Sequence, residues 1–189
     1  MTYNPHGPDW HKVADIPPDI TLREYADAWI DMAPHIEHLA SYARDKVTIV
    51  EFGLCGAVST WAMLDAMPDD GRLVGVDIDP DVPLPPRVRD DPRFQLVIGE
   101  AATVKLPVKH ADMVMIDASH EFVPTVAELA RAASLKPTVI CCHDYLYRHT
   151  PQVRAAIDGY TGPGYLRDEP YRLETVFPSS WGLAVLVPR

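Results

Sequence analysis

The stretch "ADMVMIDASHEF" (111–122) carries an apolar run that stops at Asp117, with His120 one turn further on. A strand that is apolar on both faces belongs inside a parallel sheet covered on both sides. The run "TVICCHD" (138–144) repeats the pattern and ends in His143 and Asp144. Neighbouring parallel strands finish on one edge of the sheet. The two runs therefore predict that Asp117, His120, His143 and Asp144 converge there.

Reading outward, three more strand-like runs precede these: "VTIVEF" (47–52), "RLVGVDID" (72–79) and "FQLVIGE" (94–100). Helical spacing separates them, near 60–67 and again at Val126, Leu129, Ala130 and Ala133, with a short helix around 153–157. Alternating strands and helices imply an α/β fold, a parallel sheet with helices on both faces. Near the end, "LETVF" (173–177) and "GLAVLVP" (182–188) are separated by "PSSW". That link is too short for a helical crossover, so these two strands are expected to be antiparallel neighbours. Upstream, residues 1–20 read as an extended arm. Thr21 and Glu24 form a capping box, followed by Leu22, Tyr25, Ala26, Trp29, Ile30 and Ala33 at helical spacing. Pro34 should interrupt this helix, and a second one is expected to run to about Arg44.

The 189 residues suit one domain, 1–45 forming an arm and helices and 46–189 a cofactor-binding core. The net charge of −10, with no basic cluster, argues against a nucleic acid or an anionic membrane as partner. The N-terminus lacks the apolar centre of a signal peptide, and no run approaches the roughly 18 apolar residues of a membrane span. Cys55, Cys141 and Cys142 read as reduced thiols, so a cytoplasmic address is expected. The prolines of "PDVPLPPRVRDDP" (80–92) read as a stiff loop.

The loop "EFGLCGAVST" (51–60) places Gly53 and Gly56 before a helix start. Glycine lets a ligand approach the backbone, and the first amides of a helix are unpaired. Asp77, at the end of the second strand, can accept hydrogen bonds from both hydroxyls of a ribose. Together they point to a nucleoside-containing cofactor across the strand ends.

"VEFGLCGAVST", "GVDIDP" and "ADMVMIDASHEF" succeed one another in a way that resembles class I S-adenosylmethionine-dependent methyltransferases. The likeness is greater to small metal-dependent O-methyltransferases of sugars and natural products, where an E-x-G loop ends in Ser-Thr. The resemblance covers about residues 47–145. It implies a Rossmann-like three-layer sandwich whose seven-stranded, mostly parallel sheet has an antiparallel last strand. It further implies that Glu51 and Gly53 meet the methionine part of S-adenosylmethionine, that Ser59 is a further cofactor-binding residue, that Asp77 holds the ribose, and that Glu100 and Ala101 lie beside the adenine. Ala57 departs from it, standing where many relatives have glycine.

Asp117, His143 and Asp144 are the candidate ligands of a divalent cation such as Mg²⁺. By the same resemblance the D-x-x-H pair makes His120 the catalytic base beside Asp117. A neutral hydroxyl is a poor nucleophile toward a sulfonium. A bound cation and a histidine base both help to form the oxyanion. The expected acceptor is a small molecule bearing a hydroxyl, such as a sugar, polyketide or catechol. Tyr145, Tyr147, Tyr160 and Tyr165 either line its pocket or anchor loops. The short acceptor region implies a small pocket or one completed by the partner of a homodimer. Two alternatives stand beside this reading: a cofactor-binding protein without catalysis, and a nicotinamide-dependent oxidoreductase. The oxidoreductase is disfavoured because the loop is not G-x-G-x-x-G and the chain is too short for a separate substrate domain.

Overall fold

The computed structural model describes residues 19–27, 29, 31–162 and 170–189. Seven strands form one sheet: β1 (Thr48–Phe52), β2 (Arg72–Asp77), β3 (Phe94–Ile98), β4 (Met113–Ile116), β5 (Val139–Cys142), β6 (Tyr171–Phe177) and β7 (Leu183–Pro188). Their spatial order is β3-β2-β1-β4-β5-β7-β6. The pairs among β1 to β5 are parallel, whereas β7 runs antiparallel to both β5 and β6. This is the mostly parallel sheet, with its last strand reversed, that the resemblance implies.

The helices are α1 (Leu22–Ala26), α2 (Ile36–Ala43), α3 (Val58–Ala66), α4 (Pro86–Arg89), α5 (Phe122–Ser134) and α6 (Pro151–Thr161). Side chains alternate across the sheet with the two-residue period of a strand. Ile49, Leu73, Met113, Met115 and Val185 face α1, α2 and α3. Val50, Phe52, Val74, Val114 and Ile140 face the side chains of α5 and α6, such as Leu129, Ala132 and Ile157. The central strands β1, β4 and β5 are buried on both faces, which explains their unbroken apolar runs. β3 is an edge strand with partly exposed side chains, so its apolar run does not mark a central position. Among the described residues, no helix is long and apolar enough to cross a membrane.

Several boundaries differ from the sequence expectation. The capping box at Thr21 forms, with Glu24 answering it, but α1 stops at Ala26. Tyr25 and Trp29 are nonetheless buried against the core, so the helical spacing records burial rather than a continuous helix. Ile30 lies outside the described residues. Pro34 opens a 3-10 turn (Ala33–His35) that leads straight into α2, because a proline without an N–H is tolerated in a first turn. The proline-rich loop contains α4, which begins at Pro86 for the same reason.

Candidate active site

Parallel pairing brings Phe52, Val76 and Ile116 into register and Ile116 level with Cys142. The loops leaving these strands therefore open on one edge. A cleft of about 590 Å³ lies there, reached by Gly53, Asp77, Glu100, Ala101, Asp117, His120, His143 and Asp144. Glu51 and Ser59 are not part of its wall.

The first loop is strained, and its glycines have identifiable causes. Gly53 has φ +82, and a Cβ built on it would lie 2.2 Å from the Asp117 carbonyl oxygen. Close approach of the β1 and β4 loops thus requires glycine there with or without a ligand. A Cβ on Gly56 would meet the Trp29 ring at 2.2 Å, and the Gly56 carbonyl accepts the Tyr25 hydroxyl at 2.6 Å. Ala57 caps α3 in the left-handed region at φ 57. Its side chain is buried in the core beneath the loop and does not border the cleft.

Glu51 is fully buried under this loop, where the Ser59 and Thr60 hydroxyls each donate to one of its carboxyl oxygens. Burial pushes its carboxyl up to about 8, with those hydroxyls and the nearby Asp117 as smaller influences. Ser59 is thereby committed to Glu51, and the two brace the loop from below. Asp77 has the opposite setting, on the cleft wall. Its Oδ2 accepts the Leu54 N–H and its Oδ1 the Asp79 N–H, each at 2.9 Å. A carboxylate oxygen has a second lone pair, so both oxygens can still accept from a vicinal diol.

Asp144, at the end of β5, adopts φ 62 and is buried, which turns its carboxylate back toward β4. Its Oδ2 lies 2.7 Å from His120 Nε2, and its Oδ1 lies 3.1 Å from His143 Nδ1. His143 Nδ1 is also 3.4 Å from Asp117 Oδ1, and its Nε2 is 3.3 Å from the Asp31 carbonyl oxygen. Burial would raise the Asp144 carboxyl, but the hydrogen bonds from His120 and His143 outweigh it and hold the group at about 2. Donating that hydrogen bond to Asp144 raises His120 above its ordinary value, against a smaller effect of burial. Asp117 is raised, chiefly by burial, with His143 pulling it back. Among the described residues, the group with ligand atoms mutually within 4.8 Å is Asp117, His120 and Asp144. His143 was the ligand expected from the sequence. It borders the cleft with Nδ1 turned toward both carboxylates, while His120 is the imidazole that completes the close group with them.

Of the tyrosines, Tyr147 reaches the cleft and stacks on Trp181 with ring centroids 4.0 Å apart. Tyr145 and Tyr160 are core residues, Tyr145 donating to Asp158 Oδ1 at 2.6 Å. Tyr165 lies outside the described residues. Sequence reasoning missed Trp181, Asp31 and Glu128, all of which border the cleft. Trp181 carried a signal, being a large apolar residue in a tight link between two strands. Asp31 and Glu128 carried none. His35 was missed too: it is fully buried edge-on to His143, and burial lowers it to about 4.

Neither a family model nor a curated protein sequence matches the chain. Solved structures do match. TomG from Streptomyces achromogenes, an O-methyltransferase of tomaymycin synthesis in complex with S-adenosylmethionine, superposes with a TM-score of 0.68 at 15% identity, covering 96% of this chain and 91% of that one. An O-methyltransferase from Bacillus cereus in complex with S-adenosylhomocysteine gives 0.67 at 17% identity, with 94% of each chain covered. Cofactor-bound Rv0187 from MTB gives 0.70 at 18% identity, covering 100% and 99%. The chain therefore has the Rossmann-like fold of these three structures over nearly its whole length.

Proposed function

We propose that this protein is an S-adenosylmethionine-dependent methyltransferase that methylates a hydroxyl of a small molecule. The observation that carries the reading is the meeting of Asp117, His120 and Asp144 at one end of a cleft bordered by Gly53 and Asp77. The solved structures that share the fold and hold S-adenosylmethionine or S-adenosylhomocysteine support it.

Asp77 holds the ribose hydroxyls, and the methionine part runs past Gly53 toward Asp117. The methyl carbon then faces the acceptor hydroxyl beside His120. The acceptor oxygen attacks that carbon, the carbon–sulfur bond breaks with its electrons going to sulfur, and the hydroxyl proton goes to His120 Nδ1, the ring nitrogen left free while Nε2–H donates to Asp144. The products are a methyl ether, S-adenosylhomocysteine and a protonated His120. Asp144, at 2.7 Å, orients the imidazole and stabilises its charge.

The donor set fits a divalent cation. Asp117 and Asp144 present carboxylate atoms within 4.8 Å of each other, and the buried Asp144 Oδ1 has no well-aligned hydrogen-bond donor, although His143 Nδ1 is 3.1 Å away. A cation such as Mg²⁺ held by Asp117 and Asp144 would supply positive charge to the developing oxyanion. Tyr147 and Trp181 give the acceptor side a flat apolar wall.

The test is transfer of labelled methyl from S-adenosylmethionine to a panel of diols, catechols and glycosides, with Mg²⁺, Mn²⁺ or a chelator. Label should appear in at least one acceptor and be lost in Asp117→Ala. No transfer to any acceptor under any of these conditions would count against the proposal.

A further inference from the structure

The proposed reaction leaves Glu128 unused. This residue of α5 is 5% exposed, yet it borders the cleft beside Glu100, Ala101 and Ser119. Its hydrogen bond among the described residues is long, from the Ser119 N–H to Oε2 at 3.4 Å. That is at the outer limit of a useful bond, and the Thr125 hydroxyl already holds the Ser119 carbonyl at 3.0 Å. Clamping the loop therefore does not account for a buried carboxyl at this place. Burial pushes the group up to about 7. One turn along α5, Arg131 Nη2 donates to the Val104 carbonyl at 3.3 Å, tying this face of the helix to the segment after β3. Glu128 thus stands between the segment after β3 and the loop after β4.

The reading of the cleft as a cofactor site, on which this inference rests, fixes what lies opposite. The reacting sulfonium must be at the Asp117–His120–Asp144 end. With the ribose at Asp77, the base extends toward the segment after β3, where Glu100, Ala101 and Glu128 close the cleft. We propose that Glu128 reads the purine, a carboxyl oxygen accepting a hydrogen bond from the 6-amino group of adenine. An acceptor oxygen is present whether or not the carboxyl carries a proton, so the contact survives in both states. A protonated carboxyl also donates to the ring nitrogen N1.

Calorimetric titration at pH 7 of S-adenosylhomocysteine and its 6-desamino analogue tests this. The wild type should prefer the amino compound by roughly tenfold, the worth of one hydrogen bond. Glu128→Leu and Glu128→Ala should bring the ratio to about one, while Glu128→Gln, whose amide oxygen still accepts, should keep most of it. A merely structural role weakens both ligands together and leaves the ratio unchanged. An unchanged ratio in Glu128→Leu or Glu128→Ala overturns the proposal, as does a wild type that binds both compounds equally. A wild type that binds neither sinks the methyltransferase reading along with it.

Discussion

Replacing Gly53 with alanine tests whether the loops after β1 and β4 are locked together. The new methyl would lie 2.2 Å from the Asp117 carbonyl oxygen and 2.6 Å from the Ala118 Cα, both backbone atoms that no rotamer change can move aside. At φ +82 the alanine also occupies the left-handed region, which costs about 1–2 kcal/mol for a residue with a Cβ. Forcing a methyl into packed surroundings adds about 1–3 kcal/mol, so the loss is about 3 kcal/mol. For a chain of this size each kcal/mol moves Tm by about 2–4 °C, giving a fall of roughly 10 °C by calorimetry or circular dichroism. The backbone that must yield also carries the Asp117 carboxylate, so S-adenosylhomocysteine affinity should fall with stability. A Tm within about 2 °C of the wild type would refute the argued contact.

Glu51→Gln should alter the pH dependence of stability. The folded carboxyl sits at about 8 against an ordinary 4.5. Its contribution is therefore fully present below about 4.5 and lost as pH rises through about 8. The variant's Tm should gain on the wild type between pH 5 and pH 9, and a constant difference would contradict this. His120→Ala should lower kcat by about 10²–10⁴ while leaving S-adenosylhomocysteine affinity near the wild-type value, measured by single-turnover kinetics and calorimetry. An unaltered kcat would return His120 to a structural role.

What the sequence revealed follows from backbone geometry. Parallel hydrogen bonding aligns strand ends, so Asp117 and the His143–Asp144 pair could be brought together from two apolar runs alone. The "PSSW" link was too short for a crossover, and this made β6 and β7 antiparallel. Side-chain direction was not legible in the same way. The left-handed backbone of Asp144 turns its carboxylate to His120, and nothing in "HDY" announces that turn. The resemblance made Glu51 a cofactor contact, whereas its side chain packs under the loop, where the Ser59 and Thr60 hydroxyls donate to it. Trp181 and Asp31 reach the site from opposite ends of the chain, through packing that no local pattern encodes.

Everything proposed for the cleft requires a nucleoside to lie along Asp77. Calorimetric titration of the wild type and Asp77→Ala with S-adenosylhomocysteine measures this directly. The account predicts one site on the wild type, and an affinity at least about tenfold lower once the ribose loses its carboxylate partner. No binding to the wild type, or equal binding to both proteins, would contradict it.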